Sequence, residues 1–316
     1  MNTAGFGLLL LKRWVAGGWC YSKARLDGKT VLITGANTGI GKETAIDLAK
    51  RGAKVILACR NVDKAKSAQA DIIRLSGNNN ISVIELDLAS LDSVRQCAQK
   101  IIEGVPRLDI LINNAGVMAC PRWETKDGFE MQLGTNHLGH FLFTNLLLDL
   151  IKKSAPARII NLSSMAHEGG DIFFDDLMLT KDYTAIKSYC QSKLANVLFS
   201  SELARRLEGT GITTYSLHPG GVDTDLQRHV GTTWPWARIP FMIMGPFIRT
   251  FLFKTALQGA QTSIYCAVDE KAGQETGLYY SDCAVKKPSP KALDVTVAKK
   301  LWEVSAELVG LEKKVE

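Results

Sequence analysis

The chain has 316 residues, 46% of them hydrophobic and 22% charged, with 38 basic against 32 acidic side chains for a formal net charge of +6. That apolar share is ordinary for a globular protein and excludes both a disordered tail and a many-span membrane protein. The basic excess comes without a Lys/Arg block, zinc spacing or helix-turn-helix pattern, so nucleic acid is not an expected partner. Seven cysteines, an odd number with no CxxC pair, argue against a disulfide framework and for a reducing, intracellular compartment.

Residues 1–27 form the first region. An apolar run at 5–11 is broken by Lys12 and Arg13, and 14–21 is again mostly apolar. Neither part reaches the roughly 20 apolar residues of a membrane span, and no A-x-A-like cleavage site follows. Two readings stay open: an interfacial anchor with Trp14 and Trp19 at headgroup level, or an apolar strap packed on the domain. Six apolar, β-branched runs follow, at 31–34, 54–59, 81–86, 109–112, 158–162 and 212–217. They lie too far apart for hairpins, and the stretches between them have helical periodicity, which predicts strands joined by crossover helices. The expected fold is a single-domain, doubly wound α/β (Rossmann) parallel sheet with helices on both faces. It would span 28–285, with a C-terminal helical tail at 286–316.

The first strand runs into Thr34-Gly-Ala-Asn-Thr-Gly-Ile-Gly41 and then a helix. Gly35, Gly39 and Gly41, with Asn37, Thr38 and Ile40 among them, predict a tight turn whose backbone approaches a pyrophosphate at the helix N-terminus. The strand–turn–helix context is the one a dinucleotide site requires. At the end of the second strand, where an acid would hold a ribose 2′-hydroxyl, stands Arg60, followed by Asn61 and Lys64. A guanidinium fork suits a 2′-phosphate, which favours NADP(H) over NAD(H); the plainer alternative is a solvated surface charge. Asp87, beside Leu88 after the third strand, would accept from an adenine amino group or cap the helix starting near Ser90. The fourth strand ends in Asn113, Asn114, Ala115 and Gly116, small enough for a ribose to lie against the backbone. Asn136 falls inside a predicted helix, where asparagine is a poor former unless bonded, and such a local misfit marks a functional candidate. His137 and His140 lack a third ligand at metal spacing, and no metal is expected.

Ser163 and Ser164 end the fifth strand, at the edge where a parallel sheet presents its ligand site. Successive side chains point to opposite faces, so one of the two is expected to face the site and the other to cap or pack. Residues 165–187 lengthen the next connection. Tyr189 and Lys193 then sit one turn apart on one helix face. A free phenol titrates near 10, and a nearby ammonium is expected to lower that value and make Tyr189 a usable general acid or base. Tyr183 and Lys187 repeat the spacing within the polar connection, whereas Tyr189 opens a long amphipathic helix, so the second pair is preferred. Finally, 227–257 is apolar and carries Pro235, Pro240 and Pro246, which forbid one long helix. A lid over an apolar substrate is the favoured reading, with a packed Ω-loop or an oligomer contact as the alternatives.

With these residues in place, the chain resembles the short-chain dehydrogenase/reductase family over nearly everything from Gly28 to Cys283. The resemblance rests on the glycine motif at 34–41, Asn-Asn-Ala-Gly at 113–116, Asn136, Ser164, the Tyr189–Lys193 unit and Pro219-Gly-Gly-Val-Asp-Thr224. Within the family the wording is most similar to the NADPH-preferring, membrane-associated retinol dehydrogenase group. The resemblance implies that Tyr189 protonates a carbonyl oxygen, that Lys193 lowers the tyrosine pKa and holds the nicotinamide ribose, that Ser164 orients the carbonyl, and that Asn136 holds a relay water. It also implies that Pro219, Gly220, Val222 and Thr224 lie at the nicotinamide. The serine-to-tyrosine interval is longer than in many family members, and the N-terminal segment is shorter than is usual for the retinol group.

The resulting expectation is an NADP(H)-dependent oxidoreductase interconverting a lipophilic alcohol and aldehyde, with retinol and retinal first. Other lipid-derived aldehydes or steroid ketones come next, and a light-dependent porphyrin reductase third. A dinucleotide-sensing protein without turnover is the alternative of another class. The expected setting is a peripheral membrane contact, at the endoplasmic reticulum first and the mitochondrion second, with the oligomeric state left open.

Overall fold

The computed structural model describes residues 15–224, 226, 233 and 253–311. The first apolar run, Trp14 and most of the predicted lid lie outside the described residues.

Eight strands form one sheet in the order β3-β2-β1-β4-β5-β6-β7-β8. The six predicted strands are β1 (Thr30–Thr34), β2 (Lys54–Cys59), β3 (Ile81–Glu85), β4 (Ile110–Asn113), β5 (Ala157–Leu162) and β6 (Ile212–His218). All pair in parallel, as their apolar runs require. The sequence reading missed two strands. β7 (Leu278–Ser281) adds in parallel to β6, and β8 (Ala284–Val285) folds back antiparallel on β7. β7 is four residues long and has no apolar run to signal it. Its adjacent tyrosines face opposite sides, Tyr280 in one core and Tyr279 in another.

The alternation of side chains along each strand builds two apolar layers. Val31 and Ile33 point to the face covered by α1 (Gly39–Lys50) and α2 (Val62–Ser76), while Leu32 points to the face covered by α3 (Leu91–Gly104) and α4 (Gly139–Lys153). α5 (Ala185–Arg206) belongs to the second face and α6 (Ala256–Val268) to the first. Each fully buried Leu or Ile contributes about 1.5–3 kcal/mol, so both faces are needed to hold the sheet. α7 (Val295–Leu308) packs against α5, its Trp302 ring lying 4.9 Å from Phe141 and 5.7 Å from Phe199. Residues 18–27 run as an extended strap over the α1/α6 face. Arg51 donates to the Ser22 and Ala24 carbonyls, and Cys20 N–H donates to Gln261.

The strand order reverses between β1 and β4, and the crevice at their carboxyl ends is where a doubly wound sheet binds its ligand.

Candidate active site

A cavity of about 700 Å³ opens at that crevice. Of the predicted site residues, every one lines it except Asn136. The turn after β1 forms its floor. Gly35 has φ +64°, and a Cβ there would lie 2.9 Å from the Ala115 backbone, so the two loops approach as only glycine allows. At Gly41 a Cβ would come within 2.7 Å of the Gly35 carbonyl, which keeps α1 tight against the turn. Thr34 ties the loops further: its hydroxyl accepts the Asn114 and Ala115 N–H groups, each at 2.9 Å.

The helix ends around the cavity differ in a useful way. α2 is capped by Asn61, which accepts from Lys64 N–H, and α3 by Ser90; each carries an acid in its first turn. α1 has no side-chain cap bond and no first-turn acid. Its unsatisfied N–H groups and positive dipole end therefore face the glycine turn, an arrangement that fits a pyrophosphate. Asp87 does not cap α3, which is Ser90's part; its carboxylate accepts from Ala89 N–H at 3.1 Å. Arg60 and Lys64 are exposed at the same end of the cavity, and neither forms an ion pair among the described residues.

The opposite wall is built by β5 and α5. Tyr189 and Lys193 are both buried, one turn apart, with the Lys193 Nζ 5.6 Å from the phenol ring centroid. Lys193 Nζ donates to the Leu162 carbonyl at 3.2 Å. The two serines divide as the strand geometry requires. Ser163 Oγ donates to the Lys193 carbonyl at 2.7 Å and holds α5 to the sheet. Ser164 Oγ accepts from Ala166 N–H and lines the cavity beside Tyr189. Burial pushes the Tyr189 phenol up to about 12, against the opposing pull of the nearby Ser164 hydroxyl. Burial also brings Lys193 down to about 8. The expected lowering of Tyr189 by the ammonium is thus corrected: burial sets the direction and raises the phenol, which keeps Tyr189 a neutral acid at physiological pH.

Asn136 stands behind this wall. The predicted helix is interrupted here by a π turn over Gly134–Leu138 before α4 begins. The Asn136 amide accepts from Val117 N–H and donates to the Val117 carbonyl and to Ser192 Oγ, at 2.8, 3.0 and 3.0 Å. Every polar group of the side chain is engaged in joining the β4 loop to α5. Its backbone carbonyl meets His140 Nδ1 at 3.0 Å, and His140 Nε2 meets Thr34 Oγ1 at 2.9 Å. His137 bonds Ser305. Among the described residues, no group of three or more His, Cys, Asp or Glu side chains is placed to hold a metal ion.

The sequence reading missed several cavity residues, among them Val117, Thr135 and His218. His218 ends β6 directly before Pro219, and position at a strand's carboxyl end was the available signal.

Residues 29–234 match the family described as short chain dehydrogenase. The chain belongs to the short-chain dehydrogenase family. Human retinol dehydrogenase 13 is 53% identical over 313 residues, covering 99% of this chain and 94% of that protein. The crystal structure of an uncharacterized protein from Mycobacterium paratuberculosis superposes with a TM-score of 0.75 at 36% identity, over 94% of this chain and 98% of the other. The Pseudomonas aeruginosa RhlG/NADP active-site complex does so at 0.62 and 27%, over 85% and 98%. This short-chain dehydrogenase is accordingly an alcohol dehydrogenase-type oxidoreductase that uses a nicotinamide dinucleotide.

Proposed function

We propose that the protein is an NADP(H)-dependent enzyme interconverting a lipophilic alcohol and its aldehyde, retinol and retinal first, with Tyr189, Lys193 and Ser164 as its catalytic residues. The observation that carries this reading is the meeting of a neutral, buried Tyr189 with Ser164 and Lys193 on one wall, opposite the glycine turn.

The bound nicotinamide supplies or accepts the hydride. The chain's own residues do the rest. Ser164 Oγ holds the carbonyl oxygen beside the phenol, and Tyr189 gives that oxygen its proton during reduction. Lys193, on the same wall, would hold a ribose hydroxyl of the bound cofactor and supplies the nearby positive charge when the phenolate forms. Asn136 acts from behind, by fixing Val117 and α5; the relay water that the family resemblance implies would sit against this group. Gly35, Asn37, Thr38, Gly39, Ile40 and Gly41 would hold the pyrophosphate. Asn114, Ala115 and Gly116 would hold the ribose, Asp87 and Leu88 the adenine, and Pro219, Gly220, Val222 and Thr224 the nicotinamide.

The preference for NADP(H) is supported by Arg60, with Asn61 and Lys64 beside it, at the adenine end of the cavity. Arg60→Asp should weaken NADPH binding by about 1.5–3 kcal/mol, the worth of a hydrogen bond to a charged group, and change NADH little. Equal losses for both cofactors would remove the 2′-phosphate assignment. The retinoid assignment is supported by the similarity to human retinol dehydrogenase 13 and by the apolar 227–257 sequence. No helix among the described residues is long and apolar enough to cross a membrane. Trp19 and Tyr21 on the N-terminal strap are 41% and 83% exposed, which supports a peripheral contact with an intracellular membrane, the endoplasmic reticulum first.

The test is steady-state kcat/KM for all-trans-retinal against aliphatic aldehydes and steroid ketones, with NADPH and with NADH. A retinal preference with NADPH upholds the proposal. Activity confined to other carbonyls would leave the catalytic residues in place and discard the retinoid.

A further inference from the structure

We infer that residues 286–291 clamp the loop following Ser164, and that His167 is the positioning residue through which this C-terminal segment sets Ser164 against Tyr189. The inference rests on the catalytic assignment of Ser164 above.

The loop begins with the 3-10 turn Met165–Gly169, a short element with poor internal hydrogen bonding that needs outside support. The Ser164 carbonyl receives two bonds from His167, its backbone N–H at 3.1 Å and its ring Nδ1 at 2.7 Å. The ring is fully buried and lies 4.8 Å from that of Tyr279 on β7. Its other nitrogen, Nε2, meets the backbone N–H of Ser289 at 3.2 Å. A backbone N–H can only donate, so Nε2 is the acceptor and Nδ1 carries the proton. Both bonds therefore belong to one neutral tautomer, and burial holds the imidazole pKa below its ordinary value.

Two lysines from the same segment hold the rest of the loop. Lys286 lies 3.6 Å from the Glu168 carboxylate, while Lys291 donates to the Gly170 carbonyl at 3.3 Å and to Asp171 at 2.8 Å. The loop in turn lies flat on the helix that carries Tyr189. A Cβ at Gly170 would come within 2.6 Å of the Cys190 carbonyl. Ser164 is thus set from below by β5 and from outside by the C-terminal segment, and a shift of the loop alters the placement of the Ser164 hydroxyl beside Tyr189 directly.

The test compares four single variants, using the carbonyl the wild-type enzyme reduces best. His167→Phe keeps a ring against Tyr279 and loses both nitrogens. His167→Asn retains a donor for the Ser164 carbonyl but cannot reach Ser289. Lys291→Met removes two ties at an exposed position, so it tests the clamp even if the buried variants fold poorly. Ser164→Ala is the reference. Misplacing a catalytic group by an ångström or less costs roughly tenfold to a hundredfold, so His167→Phe should lose that much kcat. NADPH affinity, measured by fluorescence, should stay unchanged. His167→Asn should be as slow as His167→Phe, and Lys291→Met should fall in the same direction by less. The rising limb of the pH profile for alcohol oxidation, which reports Tyr189 losing its proton, should move up in His167→Phe as in Ser164→Ala, because the nearby Ser164 hydroxyl is what pulls Tyr189 down. Folded His167→Phe and Lys291→Met enzymes with wild-type kcat and an unmoved profile, beside a Ser164→Ala enzyme with lowered kcat, would overturn the clamp alone. A Ser164→Ala enzyme with wild-type kcat would overturn the active-site reading and the clamp with it.

Discussion

Tyr183 and Lys187, and Tyr189 and Lys193, repeat the same spacing within one short stretch, yet they meet opposite surroundings. Tyr183 precedes α5, which starts at Ala185; its hydroxyl donates to the Cys120 carbonyl at 2.8 Å and accepts from Gln132. Lys187 turns to solvent, where it pairs with Asp182 at 2.9 Å and lies over the Phe173 ring. Six residues later, Tyr189 and Lys193 face inward, with Ser164 on the same cavity wall and open space in front. Burial holds the Tyr183 phenol up to about 12, as it does Tyr189. The titration of the phenol therefore does not separate the pairs. What separates them is what the hydroxyl can reach: a structural carbonyl for one, a serine and an open cleft for the other.

The sharpest break in this comparison is Tyr189→Phe. General acid–base catalysis contributes typically about 10²–10⁴-fold, and kcat should fall by that factor with NADPH affinity retained. A fall of less than tenfold would move the proton donor elsewhere. Lys193→Met should follow with a loss of at least about tenfold, because the positive charge beside the phenolate is gone.

The same lysine has a signature in stability. Its pKa is about 8 in the folded protein and 10.5 in the unfolded chain, so between those values the unfolded chain holds a proton that the folded protein has released. Stability from this group then rises with pH across that window. The Tm of wild-type protein without added cofactor should carry this rise from pH 8 to 10, and Lys193→Met should lack it. An identical slope in both proteins would show that Lys193 is not desolvated.

The smaller effects lie on the other pair. Tyr183→Phe should leave kcat within about twofold while lowering unfolding free energy by about 1 kcal/mol, the net worth of one hydrogen bond. Lys187→Met breaks a partly exposed ion pair and should change stability by less than about 1 kcal/mol, read from denaturant midpoints. A collapse of kcat in Tyr183→Phe would reverse the assignment of the two pairs.

Much of this site is legible in the amino-acid sequence. The glycines at 35, 39 and 41 dictate a local backbone path, Arg60 sits at a characteristic distance along the chain from them, and a four-residue interval on a helix always stacks its two side chains. These are short-range geometric facts, and the cavity gathers nearly all of the residues they point to. Asn136 is legible only as a misfit. Its contacts with Val117 and Ser192 depend on how α4, the β4 loop and α5 pack, and no sequence interval encodes that. The choice between Ser163 and Ser164 reduces to one facing the site, but the direction depends on which helix covers which side of β5.

The C-terminal region is the least legible. β7 is too short to announce itself, and its place beside β6 follows from sheet pairing across a long separation in the chain. The meeting of Ser289 with His167 follows in turn from β7 and β8 carrying the chain back over the loop after Ser164. The sequence by itself determined the parallel sheet, the dinucleotide turn and the tyrosine–lysine spacing, because period-two strands, glycine backbones and helical turns are set by near neighbours. Tertiary structure alone decided how Asn136 is engaged, what covers the loop after Ser164 and how far burial shifts each group. Desolvation and hydrogen-bond reach depend on what other segments bring to the same place.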